Sequence, residues 1–177
     1  MMNSREPVNY TCFSSPLGWI VLSASSEGIC QLGFHGQTTP EPTEVPRDLK
    51  KLFPGLELDP RLQQRLLNDA KTAILEYFSN RFPLPELPLD IRIGTAFQQD
   101  VWRSLCAIPF GETRSYRSIA ESIGKAKAPR AVGHACGRNP IAIIIPCHRV
   151  VAHNGKLGGY SSGLDIKRAL LELERRA

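Results

Sequence analysis

A chain of 177 residues with 42% hydrophobic and 22% charged side chains has material for one or two packed domains. No apolar run approaches the length of a membrane span, which excludes a transmembrane helix, and residues 1–7 lack the apolar core of a signal peptide, which predicts an intracellular protein. The net charge of +5 is unevenly spread: residues 91–177 carry 14 Lys and Arg against 6 Asp and Glu, whereas residues 1–90 carry 8 against 11. The second half is therefore the part suited to meet a polyanion, although charge alone leaves an ordinary solvated surface open.

Residues 8–13, 18–23 and 28–34 are short, β-branched and partly alternating, with Ser, Pro and Gly between them. They predict a small antiparallel meander. Residues 35–59 are rich in proline and read as an irregular excursion over the surface. Leu62, Leu66, Leu67, Ala70, Ala73, Ile74, Tyr77 and Phe78 then share one face of a helix that starts near Pro60. This α+β half shows no chemistry of its own. The prolines of residues 81–88 read as a semi-rigid linker, so the domain boundary is placed near residue 92, giving domains 1–92 and 93–177.

Beyond the linker, Phe97, Val101, Trp102, Leu105 and Ile108 fall on one helical face, and Pro109 with Gly111 ends that helix. Tyr116, Ile119, Ala120 and Ile123 mark a second, short helix stopped by Gly124. After a basic turn, Pro129 opens a third over residues 129–137. Two short helices joined by a Gly-containing turn in a basic half-chain read as a helix-turn-helix. The second helix of that pair carries Ala, Val and Gly with one arginine, Arg130. Such a helix suits close approach to a minor groove better than base readout in a major groove, although tight helix packing would use the same residues.

The run 141–150, "IAIIIPCHRV", drives an apolar segment straight into Pro-Cys-His-Arg. It reads as a buried strand that Pro146 turns so that Cys147 leaves it. A thiol is a nucleophile only as its thiolate, so Cys147 needs a base, and His148 is next to it. The final helix has an apolar stripe expected at Ile166, Ala169, Leu170 and Leu173. Glu174 is bordered by leucines and is a natural partner for His148. An inert buried thiol and a solvated Glu174 remain open on spacing alone. The five cysteines show no tight pair spacing and are expected to be reduced, and no CxxC or HxxxH pattern supports a zinc site.

The segments "RAVGHACGRNP" (130–140), "IPCHRV" (145–150) and "GGYSSGLDIKRALLELE" (158–174) closely resemble the 6-O-alkylguanine-DNA alkyltransferases, and "SPLGWIVL", "GTAFQQDVW" and "IPFGETRSY" fit the same pattern. The resemblance covers nearly all of the second half and, more loosely, the start of the first. It implies a ribonuclease-H-like α+β domain without nuclease activity, followed by a mostly helical, winged-helix-like domain with a helix-turn-helix. It implies repair of double-stranded DNA containing alkylated guanine: the base is flipped out and its alkyl group moves once, irreversibly, to Cys147.

By the same resemblance, His148 aligned by Glu174 draws off the thiol proton through a water, Tyr116 donates to the guanine ring, and Asn139 ties the recognition helix to the nucleophile segment. Arg130 fills the space of the flipped base, with Ala131 and Gly133 close to the groove. Main-chain groups of Cys147 and Val150, with the Tyr160–Ser161 loop, line the guanine pocket, while Arg117, Lys125, Gln98 and His153 touch the DNA backbone. No cofactor and no metal are expected, and the protein is expected to be a monomer in the cytoplasm or with the cell's DNA. Three positions depart from the pattern. His134 and Cys136 stand where small or aliphatic residues are expected, and Ala142 stands where some relatives have proline. A protein that only flags lesions and a hydrolytic Cys-His enzyme are the competing readings, and stoichiometry separates all three.

Overall fold

The computed structural model describes residues 7–41, 43–152 and 155–175. The chain divides into two units, one ending at Ile93 and the other starting at Gly94.

In the first unit, β1 (Pro7–Ser15), β2 (Gly18–Ser25) and β3 (Ile29–Gly36) form the expected antiparallel meander, and the two-residue β4 (Glu57–Leu58) adds parallel to β1, giving the order β3-β2-β1-β4. Gly18, at φ 116°, makes the first turn possible: a Cβ there would lie 2.5 Å from the Gly36 carbonyl oxygen. Both faces of the sheet are covered, so β2 is buried at nearly every position instead of at alternate ones.

On one face, Val8 and Val21 pack with Val45, Leu49 and Phe53 of a helix, α1 (Glu44–Leu52), and the residue that follows it. This helix corrects the reading of residues 35–59 as irregular. Pro46 does not break it, because the proline sits in the first turn, where a backbone N–H has no helical partner to lose. The long helix α2 (Gln64–Asn80) packs on β1 and β2 and buries Leu67, Ala70, Ile74, Tyr77 and Phe78. It starts at Gln64 rather than at Pro60. The intervening loop is tied down by Asn9, whose side-chain amide donates to the Pro60 and Leu62 carbonyls at 3.1 and 2.9 Å.

The proline stretch is also less free than a linker. Ile29 N–H donates to the Pro88 carbonyl at 2.8 Å and Asp90 N–H to the Ile29 carbonyl at 2.7 Å. The buried Asp90 carboxylate then accepts from Ser25 Oγ at 2.6 Å and is paired with Arg92. The end of the stretch thus behaves as an added edge of the meander.

The second unit is mostly helical. α3 (Ala96–Cys106) opens with a capping box in which Thr95 and Gln98 satisfy each other's backbone N–H groups. It buries Val101, Trp102 and Leu105. The pair α4 (Tyr116–Ser122) and α5 (Pro129–Gly137), joined across Gly124 at φ 69°, forms the helix-turn-helix, with α3 packed on both. Trp102 locks this packing by donating its indole N–H to the Ala135 carbonyl at 2.9 Å. A parallel two-residue ladder joins β5 (Arg114–Ser115) to β6 (Val150–Val151), and α6 (Leu164–Arg175) ends the described chain.

The run 141–145 is not a strand. It is a buried turn closed by Ile145 N–H on the Ile141 carbonyl at 2.9 Å, with Ile143 at φ 68°. A β-branched residue in the left-handed region is costly, and it persists here because buried apolar contacts and hydrogen bonds on both sides over-determine the turn. A single 3-10 turn, Cys147–Arg149, follows directly.

Candidate active site

Cys147 heads that 3-10 turn and is buried beside a cavity of about 870 Å³ whose walls come from α4, α5, Cys147 itself, Ala152 and residues 159–161. Asn139, just past the end of α5, donates from one amide nitrogen to the Cys147 sulfur at 3.1 Å and to the Ile145 carbonyl at 2.8 Å. Its amide oxygen accepts from Ile141 N–H at 3.0 Å. One side chain thereby fixes both ends of the buried turn and touches the sulfur.

His148 is fully buried and meets Glu174 of α6 through Nε2–Oε1 at 2.8 Å. Burial alone would push the Glu174 carboxyl up, but hydrogen bonds from His148 and Arg149 and their charges outweigh it and hold the group at about 2. An ionised carboxylate only accepts, so the imidazole carries its proton on Nε2, and Nδ1 is left with a lone pair. That Nδ1 is buried and has no hydrogen-bond partner in the protein. Burial also lowers the pKa of His148, which keeps the ring neutral. The Cys147 thiol is pushed up by burial, against the Asn139 hydrogen bond and the charge of Lys167. At rest Cys147 is therefore a thiol, and His148, the next residue in the chain, a neutral imidazole.

The structure brings together most of the residues expected from the sequence. Tyr116, Arg117, Arg130, Gly133, Tyr160 and Ser161 line the cavity with Cys147. Burial, and then the two nearby thiols, push the Tyr116 hydroxyl up to about 12, so it is a donor at neutral pH. Tyr160 has a buried hydroxyl with no partner in the protein, and burial pushes it upward as well. Arg130 and Ala131 are exposed on α5. Other residues lie apart. Val150 is fully buried and is not part of the cavity wall; its carbonyl instead accepts from Lys167 at 2.6 Å. Lys125 is exposed in the turn between α4 and α5, and Gln98 spends its side-chain carbonyl on the cap of α3. His153 lies outside the described residues.

Two charged residues at the site were not expected. Arg149 is buried, grips Glu174 with two donors at 2.8 and 2.9 Å, and donates to the Ile108 carbonyl at 2.7 Å. Lys167 is fully buried, donating to the Val150 and Gly159 carbonyls at 2.6 and 3.2 Å, with the Tyr116 ring 5.9 Å away. The buried face of α6 is Lys167, Leu170 and Glu174, not the expected stripe of Ile166, Ala169, Leu170 and Leu173, which are only half-buried apart from Leu170. The spacing of 167, 170 and 174 is helical, and it was masked by two charged residues. Of the departures from the resemblance, His134 and Cys136 both line the cavity, whereas Ala142 is buried in the turn and outside its wall. Among the described residues, no group of three His, Cys, Asp or Glu could hold a metal ion.

Comparison with known proteins agrees across the whole chain. The family model described as 6-O-methylguanine DNA methyltransferase, DNA binding domain, matches residues 96–176, and the model for the ribonuclease-like domain of the same family matches residues 8–91. The chain is 45% identical over 166 residues to the methylated-DNA–protein-cysteine methyltransferase of Methanosarcina barkeri, covering 93% of this chain and 96% of that one. It superposes on the crystal structure of Mycobacterium tuberculosis O6-methylguanine methyltransferase with a TM-score of 0.76 and 42% identity, over 96% of this chain and 93% of the other. A structure of the M. tuberculosis protein in complex with DNA matches at the same TM-score with 39% identity, over 96% and 93% of the two chains.

Proposed function

Because this chain belongs to the 6-O-methylguanine DNA methyltransferase family, we propose that it repairs alkylated guanine in DNA by moving the alkyl group from the 6-oxygen onto Cys147. DNA binding and methyl transfer from DNA to a protein cysteine are its activity. Its DNA substrate places it with the cell's DNA, and no helix among the described residues is long and apolar enough to cross a membrane.

The observation that carries the assignment to Cys147 is its setting: a sulfur on the cavity wall, held by Asn139, with the His148–Glu174 pair directly behind it in the chain. In the reaction, α5 docks in the minor groove, the modified guanine leaves the stack, and Arg130 occupies the space it vacates. The cost of unstacking is offset by contacts in the cavity. The thiol proton passes to His148 Nδ1 through one bridging water, and Glu174 stabilises the imidazolium that forms. The thiolate attacks the alkyl carbon in line, the carbon–oxygen bond breaks, and its electron pair goes to the guanine. Tyr116 donates its hydroxyl hydrogen bond to a ring nitrogen, where that charge develops. A thioether has no easy reverse reaction at this site, so each molecule acts once.

The test is a duplex carrying one 6-O-methylguanine, mixed with a small excess of protein, digested and analysed by mass spectrometry. One added methyl on the Cys147 peptide, absent from Cys147→Ala, is the expected result. Tight binding without transfer, or repeated turnover on excess DNA, overturns the assignment.

A further inference from the structure

We propose that Arg149 is a positioning residue for the transfer, whose guanidinium neutralises Glu174 so that the carboxylate can align His148 without also loading it with a proton. The inference rests on His148 being the base, as set out above.

A carboxylate held against an imidazole does two things at once. It fixes the ring, and it makes the ring more basic, which at neutral pH would leave Nδ1 occupied by a proton and useless to a thiol. The geometry around Glu174 separates these effects. Oε1 accepts from His148 at 2.8 Å and from the terminal nitrogen of Arg149 at 2.9 Å, while Oε2 accepts from Arg149 Nε at 2.8 Å and from Gly111 N–H at 3.2 Å. The carboxylate is thus gripped on both oxygens by a bidentate cation, and one of those oxygens is the one that holds the ring. The guanidinium is itself immobilised by the Ile108 carbonyl at 2.7 Å and by the Phe110 ring, 5.6 Å from its centre.

The other charges around His148 cannot replace this. Burial is the largest influence lowering the pKa of His148. Glu174 works against it, and Arg149 and Lys167 work with it. Lys167 points its ammonium at the Val150 and Gly159 carbonyls, whereas Arg149 donates to both oxygens of Glu174. On α3, which packs against the nucleophile turn, Asp100 and Arg103 pair with each other at 3.2 Å on the exposed face, and Glu112 pairs with Arg114 at 2.8 Å. Cys106 of α3 also lies near the Arg149 charge, and burial pushes its thiol up, so it stays neutral beside the guanidinium. The Cys147 thiol, next to His148 in the chain, is the proton's source.

The experiment is the rate of methyl transfer from a 6-O-methylguanine duplex as a function of pH for the wild type, Arg149→Gln, Glu174→Gln and the double variant, with the His148 ring followed by NMR titration. Arg149→Gln is expected to move the acid limb and the His148 titration upward together by about one pH unit or more. The double variant, which removes both charges, is expected to bring them back, and Arg149→Lys to hold them near the wild-type position. A purely structural arginine would give none of that recovery. An unmoved limb in Arg149→Gln, or a double variant no lower than Arg149→Gln, overturns the proposal. If Arg149→Gln does not fold, the same comparison is made between Glu174→Gln and the double variant, and equal limbs in those two overturn it. If His148→Gln keeps the wild-type limb, the base assignment itself is wrong and the inference falls with it.

Discussion

The side chain of Asn139 and the sulfur of Cys147 are joined by an N–H···S contact of 3.1 Å, and the same amide nitrogen holds the Ile145 carbonyl at 2.8 Å. Because Asn139 N–H also bonds the Cys136 carbonyl at 3.2 Å, this one residue links the end of α5 to the nucleophile. Asn139→Ala orphans a buried carbonyl, so a loss of about 1–3 kcal/mol in folding stability is expected. Transfer should slow by roughly tenfold as the donor to the developing thiolate is lost. Asn139→Asp should slow transfer further, since a carboxylate beside the sulfur disfavours the thiolate. Chemical denaturation and single-turnover rates on the two variants check this, and an Asp variant as fast as wild type would contradict it.

Gly158 tests the placement of Tyr116. It lies at φ 68°, and a Cβ there would come within 2.8 Å of the Tyr116 hydroxyl oxygen and 3.0 Å of its ring. Gly158→Ala therefore combines a backbone penalty of about 1–2 kcal/mol with displacement of the phenol. Transfer is expected to fall by tenfold or more. Adding Tyr116→Phe removes the atom that clashes first, so the double variant should regain part of the lost stability while transfer stays low. Thermal melts paired with methyl-transfer rates decide the matter, and a Gly158→Ala protein with normal rates would show that Tyr116 tolerates displacement.

What could be read from the sequence and what could not follow from different physics. Cys147, His148 and Glu174 stood out as candidates because a nucleophile needs a base and a base needs an orienting group, but spacing left an inert thiol and a solvated carboxylate open, and it was the resemblance that gave the three their roles. Arg149 and Lys167 were not, because charged residues on a helix or at a turn are normally solvated, and each is buried here only through partners distant in sequence: Glu174 and Ile108 for the arginine, Val150 for the lysine. Residues 141–145 look like a strand because β-branched apolar runs usually are strands. They form a turn because Asn139 supplies hydrogen bonds that a ladder would otherwise provide. The helix α1 was hidden by proline content, although Val45 and Leu49, four apart, carried its period. Lys125, Gln98 and His153 rested on resemblance alone. Lys125 and Gln98 are not in the cavity wall, and His153 lies outside the described residues.

Acid should destabilise the second unit through two groups of the same sign. Glu174, held at about 2 when folded, has an ordinary value near 4.5. The stability it adds is present above pH 4.5 and is lost as pH falls towards 2, amounting to roughly 3 kcal/mol at full extent. His148, whose pKa is lowered by burial, is protonated in the unfolded chain below its ordinary 6.5 but stays neutral when folded. It therefore also removes stability as pH falls below that value. Urea midpoints at pH 7, 5.5 and 4, followed by Trp102 fluorescence in a Trp19→Phe background, should decrease stepwise. Glu174→Gln should flatten the lower part of the curve while starting from a lower midpoint, since it leaves Arg149 with a poorer partner. A midpoint independent of pH over this range would contradict both assignments.

Cys136 poses the sharpest question of selectivity, because a second thiol lines the same cavity as Cys147. Burial, and then the neighbouring Cys147 sulfur, push its thiol up to about 12, so it is almost wholly protonated at neutral pH. Cys147 is buried too, but it has the Asn139 donor on its sulfur and His148 next in the chain. The difference between the two cysteines is therefore one of proton removal and not of access. One equivalent of methyl should appear on the Cys147 peptide and none on the Cys136 peptide. Cys136→Ser should transfer within about threefold of the wild-type rate, since a hydroxyl of similar size keeps the cavity wall. In Cys147→Ser, Cys136 should stay unmodified over hours, because burial holds its thiol protonated and the Asn139 donor and adjacent His148 belong to position 147. Peptide mass spectrometry of the three proteins after incubation with a 6-O-methylguanine duplex reads all of this directly. Methyl on Cys136 in the Cys147→Ser protein would mean that access to the cavity, and not the Asn139–His148 setting, chooses the acceptor.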